Sequence, residues 1–425
     1  MSIQPQRGQI AKRRDNASVE NTDQTENKVL KPSLTLYGTA ASTFFSDSLL
    51  WSFLFPYAVV LETSFAQMGL MRSARNLCEN VFQVGWGGLS ERFGKRIFVL
   101  IGYLFSGFLT ISYLIFRAPL QFLILVILQS VVWSIAVPAW NALLGDYTKK
   151  ETRGRVLGKI GAVSRFSGVG ATILIALFTF MAPRETSPSS FIVPFVLGAG
   201  ASILGALLVV FTKEIKVKTS SWREIDVFLP LRDKNFRIFL MANGVHLFTL
   251  AFAWPLFPYV TIDIVHATVW QIAIIATAEG LVTALTQPKL GAIADKIGRK
   301  PVLILGRASF FLFPLLYAFS THWLHILAVN VTLSAFIAAD VVTTTTYILD
   351  FAPTDRRTTY TASYNLIYGI ATFLGSLAGG VFAESLSALN GIHQTIFAGL
   401  IISAIMRIIA STSFLTIKET LHEMN

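Results

Sequence analysis

Twelve runs of about twenty mostly apolar residues follow one another along this chain, separated by polar connections. Wound as a helix, a run of that length matches the ~30 Å hydrocarbon layer of a bilayer. No water is present there to satisfy unpaired backbone groups, so each run is expected to be a helix. The runs fall at residues 35–61, 68–89, 97–116, 120–144, 156–181, 191–211, 236–262, 270–294, 302–319, 323–349, 360–383 and 392–415. Charged residues make up 14% of the chain and hydrophobic ones 53%, whereas a soluble domain carries roughly a quarter charged. The missing charge must be replaced by surface that faces lipid.

Span two is the least apolar of the twelve, and its polar residues are ordered. Arg72, Arg75, Asn76, Glu79 and Gln83 recur at helical spacing, which places them on one face. In lipid such a stripe is expected to turn toward a bundle interior or a watery cavity.

The distribution of Lys and Arg sets the orientation. With a cytoplasmic N-terminus, 28 of the 35 basic residues lie in or beside cytoplasmic segments, and two, Arg117 and Arg184, lie outside. The remaining five, Arg72, Arg75, Arg165, Arg307 and Arg407, lie within spans. Removing one span would invert every later loop and destroy this bias. The same bias accounts for the net charge of +11 without any nucleic-acid partner. Residues 1–32 are polar, lack a secretory h-region and read as a disordered cytoplasmic tail, with span one as an uncleaved anchor. The expected organisation is a six-helix bundle at 33–211, a cytoplasmic linker at 212–235, a second bundle at 236–415 and a cytoplasmic tail at 416–425.

The halves repeat at a shift of 204 residues. Gly87-Gly88-Leu89-Ser90-Glu91-Arg92-Phe93-Gly94-Lys95-Arg96 matches Gly291-Ala292-Ile293-Ala294-Asp295-Lys296-Ile297-Gly298-Arg299-Lys300. The same shift pairs Gln67 with Gln271, Asp146 with Asp350, Glu151 with Asp355 and Arg153 with Arg357. Six spans per half make the repeats parallel, related by an axis along the membrane normal. The fold class is therefore an all-α membrane protein of twelve transmembrane helices in two pseudo-symmetric six-helix bundles.

The doubled decapeptide resembles the signature loop of the Major Facilitator Superfamily, and with the 6 + 6 layout the resemblance spans residues 33–415. Likeness to that family's drug exporters is partial. Gln129 stands nearest to where many of them carry an Arg in span four, and Gly375-Ser376-Leu377-Ala378-Gly379-Gly380 has Ser where Pro is usual. The resemblance implies a cytoplasmic gate built from Gly87, Glu91, Arg92, Gly94, Arg96 and Asp146, with Gly291, Asp295, Lys296, Gly298, Arg299 and Asp350 as its second copy. The glycines permit tight turns. In the family the first acid meets the start of helix eleven, here 358–360, and Arg92 and Arg96 are in reach of Asp146, as Lys296 and Arg299 are of Asp350. These contacts would hold the cytoplasmic side shut.

Charges within the spans are the candidate site. At ~1.5 Å per residue, Asp47 lies about 16 Å inside span one, with Arg75, Arg165 and Glu279 at similar depth. A charge at mid-bilayer costs ~2.5–3.5 kcal/mol on insertion scales, so each needs a partner or water. Arg75 and Glu79 are four residues apart and can pair locally. Since helices five and eight are neighbours in the family, Arg165 and Glu279 are expected to pair across the bundles. Asp47 has no in-helix partner, so it is the candidate proton or cation carboxylate; hydrogen bonds to Thr43 and Ser46 are the structural alternative. Asp340, with Thr343 to Thr346, is a candidate substrate contact. Arg307 and Arg407 are expected to snorkel to the cytoplasmic face. Trp140 and Trp254 are candidates for stacking an apolar substrate.

No P-loop is present, the six histidines form no metal-ligand spacing, and Cys78 is the lone cysteine. No catalytic set, metal or cofactor is expected. The reading is a monomeric, multi-pass transporter of the cell membrane, with both termini cytoplasmic. It would move a small organic molecule by alternating access, with protons or another ion supplying the drive. Proton-coupled export is the first reading, because acidic residues line an otherwise apolar cavity. Proton-coupled uptake and a non-transporting receptor or scaffold of the same fold are the alternatives.

Overall fold

The computed structural model describes residues 30–148, 153–181, 186–215, 226–353 and 356–420. Most of the N-terminal tail, Glu151, Arg184, the linker core 216–225, Asp355 and residues 421–425 lie outside the described residues, as does the Arg153 side chain. Among the described residues all regular structure is helical.

Twelve spans form two six-helix bundles. Spans one to six are Leu34–Val60, Phe65–Val81 with Gln83–Phe93, Lys95–Ile115, Pro119–Gly145, Arg153–Thr179 and Ile192–Val210. Spans seven to twelve are Lys234–Phe252 continuing to Ile264, Val269–Ile297, Arg299–Ser309 with Leu312–Ala318, Trp323–Phe351, Arg357–Asn390 and Ile392–Ser411. Eleven of these helices are apolar and long enough to cross a membrane. The twelfth is span two, whose polar stripe lowers its hydropathy below that of its neighbours.

The repeat has local causes. Gln67 and Gln271 each occupy the third position of a capping box, in which Ser64 and Thr268 are the N-caps of spans two and eight. Gly94 and Gly298 join spans two to three and eight to nine at φ of 110° and 105°, a left-handed turn that side chains with a Cβ rarely adopt. Gly87 lies 3.8 Å, by its missing Cβ, from Pro138 on span four, and Gly291 lies 3.4 Å from Val342 on span ten. The pair is related by the same shift of 204.

Span nine breaks at Phe310 and Phe311. Pro314 has no N–H to give the Phe310 carbonyl, so that oxygen is free for another donor.

The face carrying the doubled loops is called here the basic face, and its opposite the far face. The bundles meet through spans two and eleven and through spans five and eight. Every cross-bundle hydrogen bond among the described residues lies at mid-depth or in the far half. Ser73 donates to the Phe373 carbonyl at 2.7 Å and Ser376 to that of Gly69 at 3.3 Å. Thr277 bonds Thr172 at 2.7 Å, and the Tyr259 hydroxyl donates to the Thr63 carbonyl. No cross-bundle hydrogen bond among the described residues lies in the basic half, so we read this conformation as sealed on the far side and open on the basic side.

The tightest part of the seal is backbone on backbone. A Cβ on Gly69 would lie 2.7 Å from the Ser376 carbonyl oxygen, and one on Gly380 would lie 2.5 Å from that of Phe65. Backbone cannot step aside, so a side chain at either position must separate the helices. Gly380→Val is expected to open the far side. Spin labels at Ser189→Cys and His322→Cys, both exposed at the far face, would report a longer distance. An unchanged distance distribution would show that this crossing is not the seal.

Candidate functional site

A cavity of about 490 Å³ lies between the bundles, within the size range of small-molecule sites. Span one contributes Ser48 and Trp51, span two Arg72, and span five Arg165 and Thr172. The other bundle supplies Phe257, Glu279, Tyr317 and Asn330. The Asn330 amide donates to the Tyr317 hydroxyl at 2.7 Å, which fixes that wall. The sequence candidates Arg165 and Glu279 therefore share one cavity, and Arg72 joins them. Trp140 and Trp254 do not line it; the tryptophan that does is Trp51.

The expected Arg165–Glu279 ion pair does not form; among the described residues the ion pairs are five others. Spans five and eight touch at Val169 and Gly280 and beyond, toward the far face. Arg165 is one turn to the basic side of that contact.

Asp47 lies within the N-terminal bundle and does not line the cavity. Its Oδ1 is buried with no hydrogen-bond partner. Thr43 donates to the Thr39 carbonyl at 2.8 Å, and the Ser46 hydroxyl is buried and unpartnered, so neither serves Asp47. The charges acting on Asp47 are those of Arg75 and Glu79. These two pair locally at 2.7 Å, and they line a crevice of about 10 Å³ with Gln129 and Trp133, room for about one water. The Arg75 guanidinium sits 4.7 Å from the Trp51 ring centre, so the wall of the large cavity and this polar cluster share a side chain.

Asp340 is engaged by its own bundle. Arg307 donates its Nε to Asp340 and, at 3.0 Å, a terminal nitrogen to the Thr344 hydroxyl. Arg307 is 1% exposed, so the expected snorkelling does not occur. A carboxylate one helix away supplies an ion pair, whereas hydration at the interface would require the side chain to leave its packing. Arg407 is also 1% exposed. It donates at 2.8 Å to the carbonyls of Phe310 and Leu250. The first is the oxygen orphaned by Pro314, and the second lies at the frayed end of the Lys234–Phe252 helix.

At the basic face each bundle carries the same clasp. Lys95 pairs with Asp146 at 2.5 Å, and Arg299 pairs with Asp350 at 3.3 Å and with Asp295. The partner of Asp146 is thus Lys95, in place of the expected Arg92 or Arg96. Lys95 is the first residue of the span three helix and turns inward, while Arg96 turns to the Val210 and Thr212 carbonyls at the end of span six. Arg92 and Lys296 are exposed. Glu91 is exposed and forms no ion pair among the described residues.

Sequence reasoning missed two acids here. Glu214 accepts the Arg96 backbone N–H at 3.0 Å, and Glu419 accepts those of Arg299 and Lys300 at 3.0 and 2.9 Å. Each carboxylate caps the exposed amides where a helix begins. The signal was present as Lys213-Glu214 and Lys418-Glu419, a second repeat at a shift of 205.

The family model described as Major Facilitator Superfamily matches residues 36–243 and 239–423. The uncharacterised MFS-type transporter MJ1560 of Methanocaldococcus jannaschii is 24% identical over 344 residues, covering 79% of this chain and 86% of its own. The multidrug resistance protein MdtG of Escherichia coli is 25% identical over 248 residues, covering 56% of this chain and 58% of its own. Among solved structures, that of the nucleoside transporter NupG superposes with a TM-score of 0.72 at 14% identity, covering 90% of this chain and 98% of that one. At that identity the likeness is one of fold.

The Arg307–Asp340 pair supplies a test of whether Asp340 is structural. Breaking a buried pair by removing one partner costs ~3–5 kcal/mol, and removing both costs much less. Arg307→Met and Asp340→Asn are each expected to lower the thermal unfolding midpoint in detergent by more than the double variant does. A stable Asp340→Asn protein would return that carboxylate to the substrate candidates.

Proposed function

The chain belongs to the Major Facilitator Superfamily, and from that premise we propose that it exports a small organic solute by alternating access, driven by protons. It is a multi-pass membrane transporter, not an enzyme. The observation that carries the mechanism is the cavity walled by both bundles, sealed on one side by helix crossings and open on the other. A site held between two bodies changes its exposure when they rock, and the solute needs no path through either bundle.

The basic face is the cytoplasmic one, by the bias of Lys and Arg in its loops, which puts both termini in the cytoplasm of a cell-membrane protein. The moving bodies are residues 33–211 and 236–415, joined by 212–235 and followed by the 416–425 tail, within a monomer. The open side in this conformation is then the side from which an exporter loads. The doubled clasps keep each bundle rigid at its basic end. When that side closes, Glu91 is carried toward the start of span eleven, where helix amides favour an acid; Asp295 is its counterpart in the other bundle.

Asp47 is the proposed proton carrier. Its unpartnered oxygen sits beside Arg75 and Glu79 on span two, the helix whose far half forms the seal. Gain or loss of one proton changes the net charge of that cluster and so the forces on span two.

Proteoliposomes under an imposed pH gradient test this reading, with a compound found by thermal-shift screening as the solute. The native protein is expected to show gradient-driven flux. Asp47→Asn is expected to abolish the response to the gradient while solute binding persists. An Asp47→Asn protein that stays fully proton-coupled removes Asp47 from the role. A native protein without gradient-driven flux removes the coupling.

A further inference from the structure

The three ionisable side chains in the central cavity do not cancel. Arg72 and Arg165 come from the N-terminal bundle and Glu279 from the other. None of the three has an ion-pair partner among the described residues. Two guanidinium groups against one carboxylate leave the cavity with a single positive charge in excess.

Arg72 is held ready. Its guanidinium carbon lies 3.6 Å from the centre of the Phe55 ring and 5.8 Å from that of Trp51. This cation–π seat fixes its position while supplying no hydrogen-bond acceptor. Its Nε is buried without a partner. A guanidinium is a planar fork of donors that matches a carboxylate with two parallel hydrogen bonds. Arg307, Arg407 and Arg75 each have acceptors from the protein: Asp340 and Thr344, two carbonyls, and Glu79, respectively. Arg307 and Arg407 also keep one buried nitrogen unpartnered, but neither lines the cavity. Arg72 has no ion-pair partner among the described residues and lines the cavity, so a ligand there could supply an acceptor.

The rest of the wall is aromatic or apolar with a few neutral polar groups, among them Trp51, Phe257, Tyr317 and Asn330. Such a wall suits a flat ring. We propose that the solute is an aromatic monocarboxylate. The carboxylate is held by Arg72 and Arg165, the ring lies among Trp51, Phe257 and Tyr317, and a hydroxyl or other donor on the ring reaches Glu279. With Glu279 ionised, the charge count selects a monoanion: one negative charge neutralises the cavity, whereas a doubly charged phosphate ester overshoots and an amine adds to the excess. Contacts to both bundles let one solute bridge them. This assignment rests on the transport reading above for its biological role, though the binding it describes can be measured without flux.

The test uses the purified full-length protein in detergent, with binding read by isothermal titration and thermal shift. The probes are 4-hydroxybenzoate and 4-hydroxyphenylacetate, their methyl esters and amides, the matched amine tyramine, and the uncharged nucleoside uridine. The acids are expected to bind roughly tenfold or more tighter than their esters and amides, the scale of a charge-assisted hydrogen bond. Arg165→Gln, on the exposed wall of the cavity, is expected to lose most of that preference. Arg72→Gln is expected to do the same, with Arg72→Lys restoring part of it; if Arg72→Gln fails to fold, the Arg165 variant decides. Tighter binding of the esters, tyramine or uridine overturns the proposal, as does acid binding that ignores both arginines. The two readings fail separately. Arginine-dependent acid binding without flux in vesicles overturns the transport reading and leaves the site. Gradient-driven flux of another class, with no acid binding, overturns the site and leaves transport.

Discussion

An ionised side chain inside hydrocarbon costs at least ~2.5–3.5 kcal/mol unless the protein supplies a partner or water, and this chain meets that demand in three different ways. Arg307 is met by an ion pair with Asp340. Arg407 is met by backbone carbonyls that two helix irregularities have released, so the proline that breaks span nine and the arginine on span twelve form one device. Arg72, Arg165 and Glu279 are met by neither and open onto a shared cavity. The first two solutions lie away from the cavity lining. Only the third leaves charge to be answered from outside the chain, and it occurs where the two bundles face each other.

The clasps at the basic face explain how two bundles can move without falling apart. In each half a base that opens the third helix of the bundle pairs with an acid that closes the fourth, Lys95 with Asp146 and Arg299 with Asp350. A glutamate just past the sixth helix caps the same helix start. Three helices are thereby tied at one end through groups that belong to a single bundle. Cross-bundle contacts, in contrast, are glycine crossings and single hydrogen bonds at mid-depth or on the far side. Strong ties within and weak ties between are what a rocking pair of bodies requires. The segments 212–215 and 416–420, which hydropathy assigns to a linker and a tail, are partly structural for this reason.

The twelve spans and the 6 + 6 repeat were legible because each depends on composition over twenty residues or on a motif written twice. Azimuth was not. Depth in the membrane can be counted along a helix, but the side toward which Arg307 points depends on where span ten lies, and no local pattern records that. Arg307 and Arg407 were accordingly expected at the interface and are found in the core. Asp146 was expected to meet Arg92 or Arg96, and the positive φ of Gly94 gives the inward position to Lys95. Arg165 and Glu279 were rightly brought to one place by reasoning from neighbouring helices. Neighbouring helices do not guarantee a pair: the contacts of spans five and eight fall at Val169 and Gly280 and farther toward the far face. Trp51 was passed over because a tryptophan in a span is more often packing, and only the two arginines seated near it single it out.

In the proposed cycle, span two is where proton and solute meet. Its far half crosses span eleven at Gly69 and Gly380 and so belongs to the seal. One face carries Arg72 to the cavity, and a turn later Arg75 and Glu79 face Asp47. Both Arg72 and Arg75 lie against Trp51, on opposite sides of the step from cavity to bundle interior. In that proposal a carboxylate bound by Arg72 would draw its guanidinium toward the cavity, while a proton on Asp47 would remove one of the two negative charges near Arg75. Both events pull on the same helix through the same ring. A transporter needs the seal to respond to the combined state of both ligands, and a single helix that carries the seal, the anion contact and the carboxylate cluster supplies that dependence with no longer chain of coupling. The interruption of this helix at Phe82 then falls where it is useful: the half bearing all three features can tilt while the half that packs by Gly87 against span four stays with its bundle.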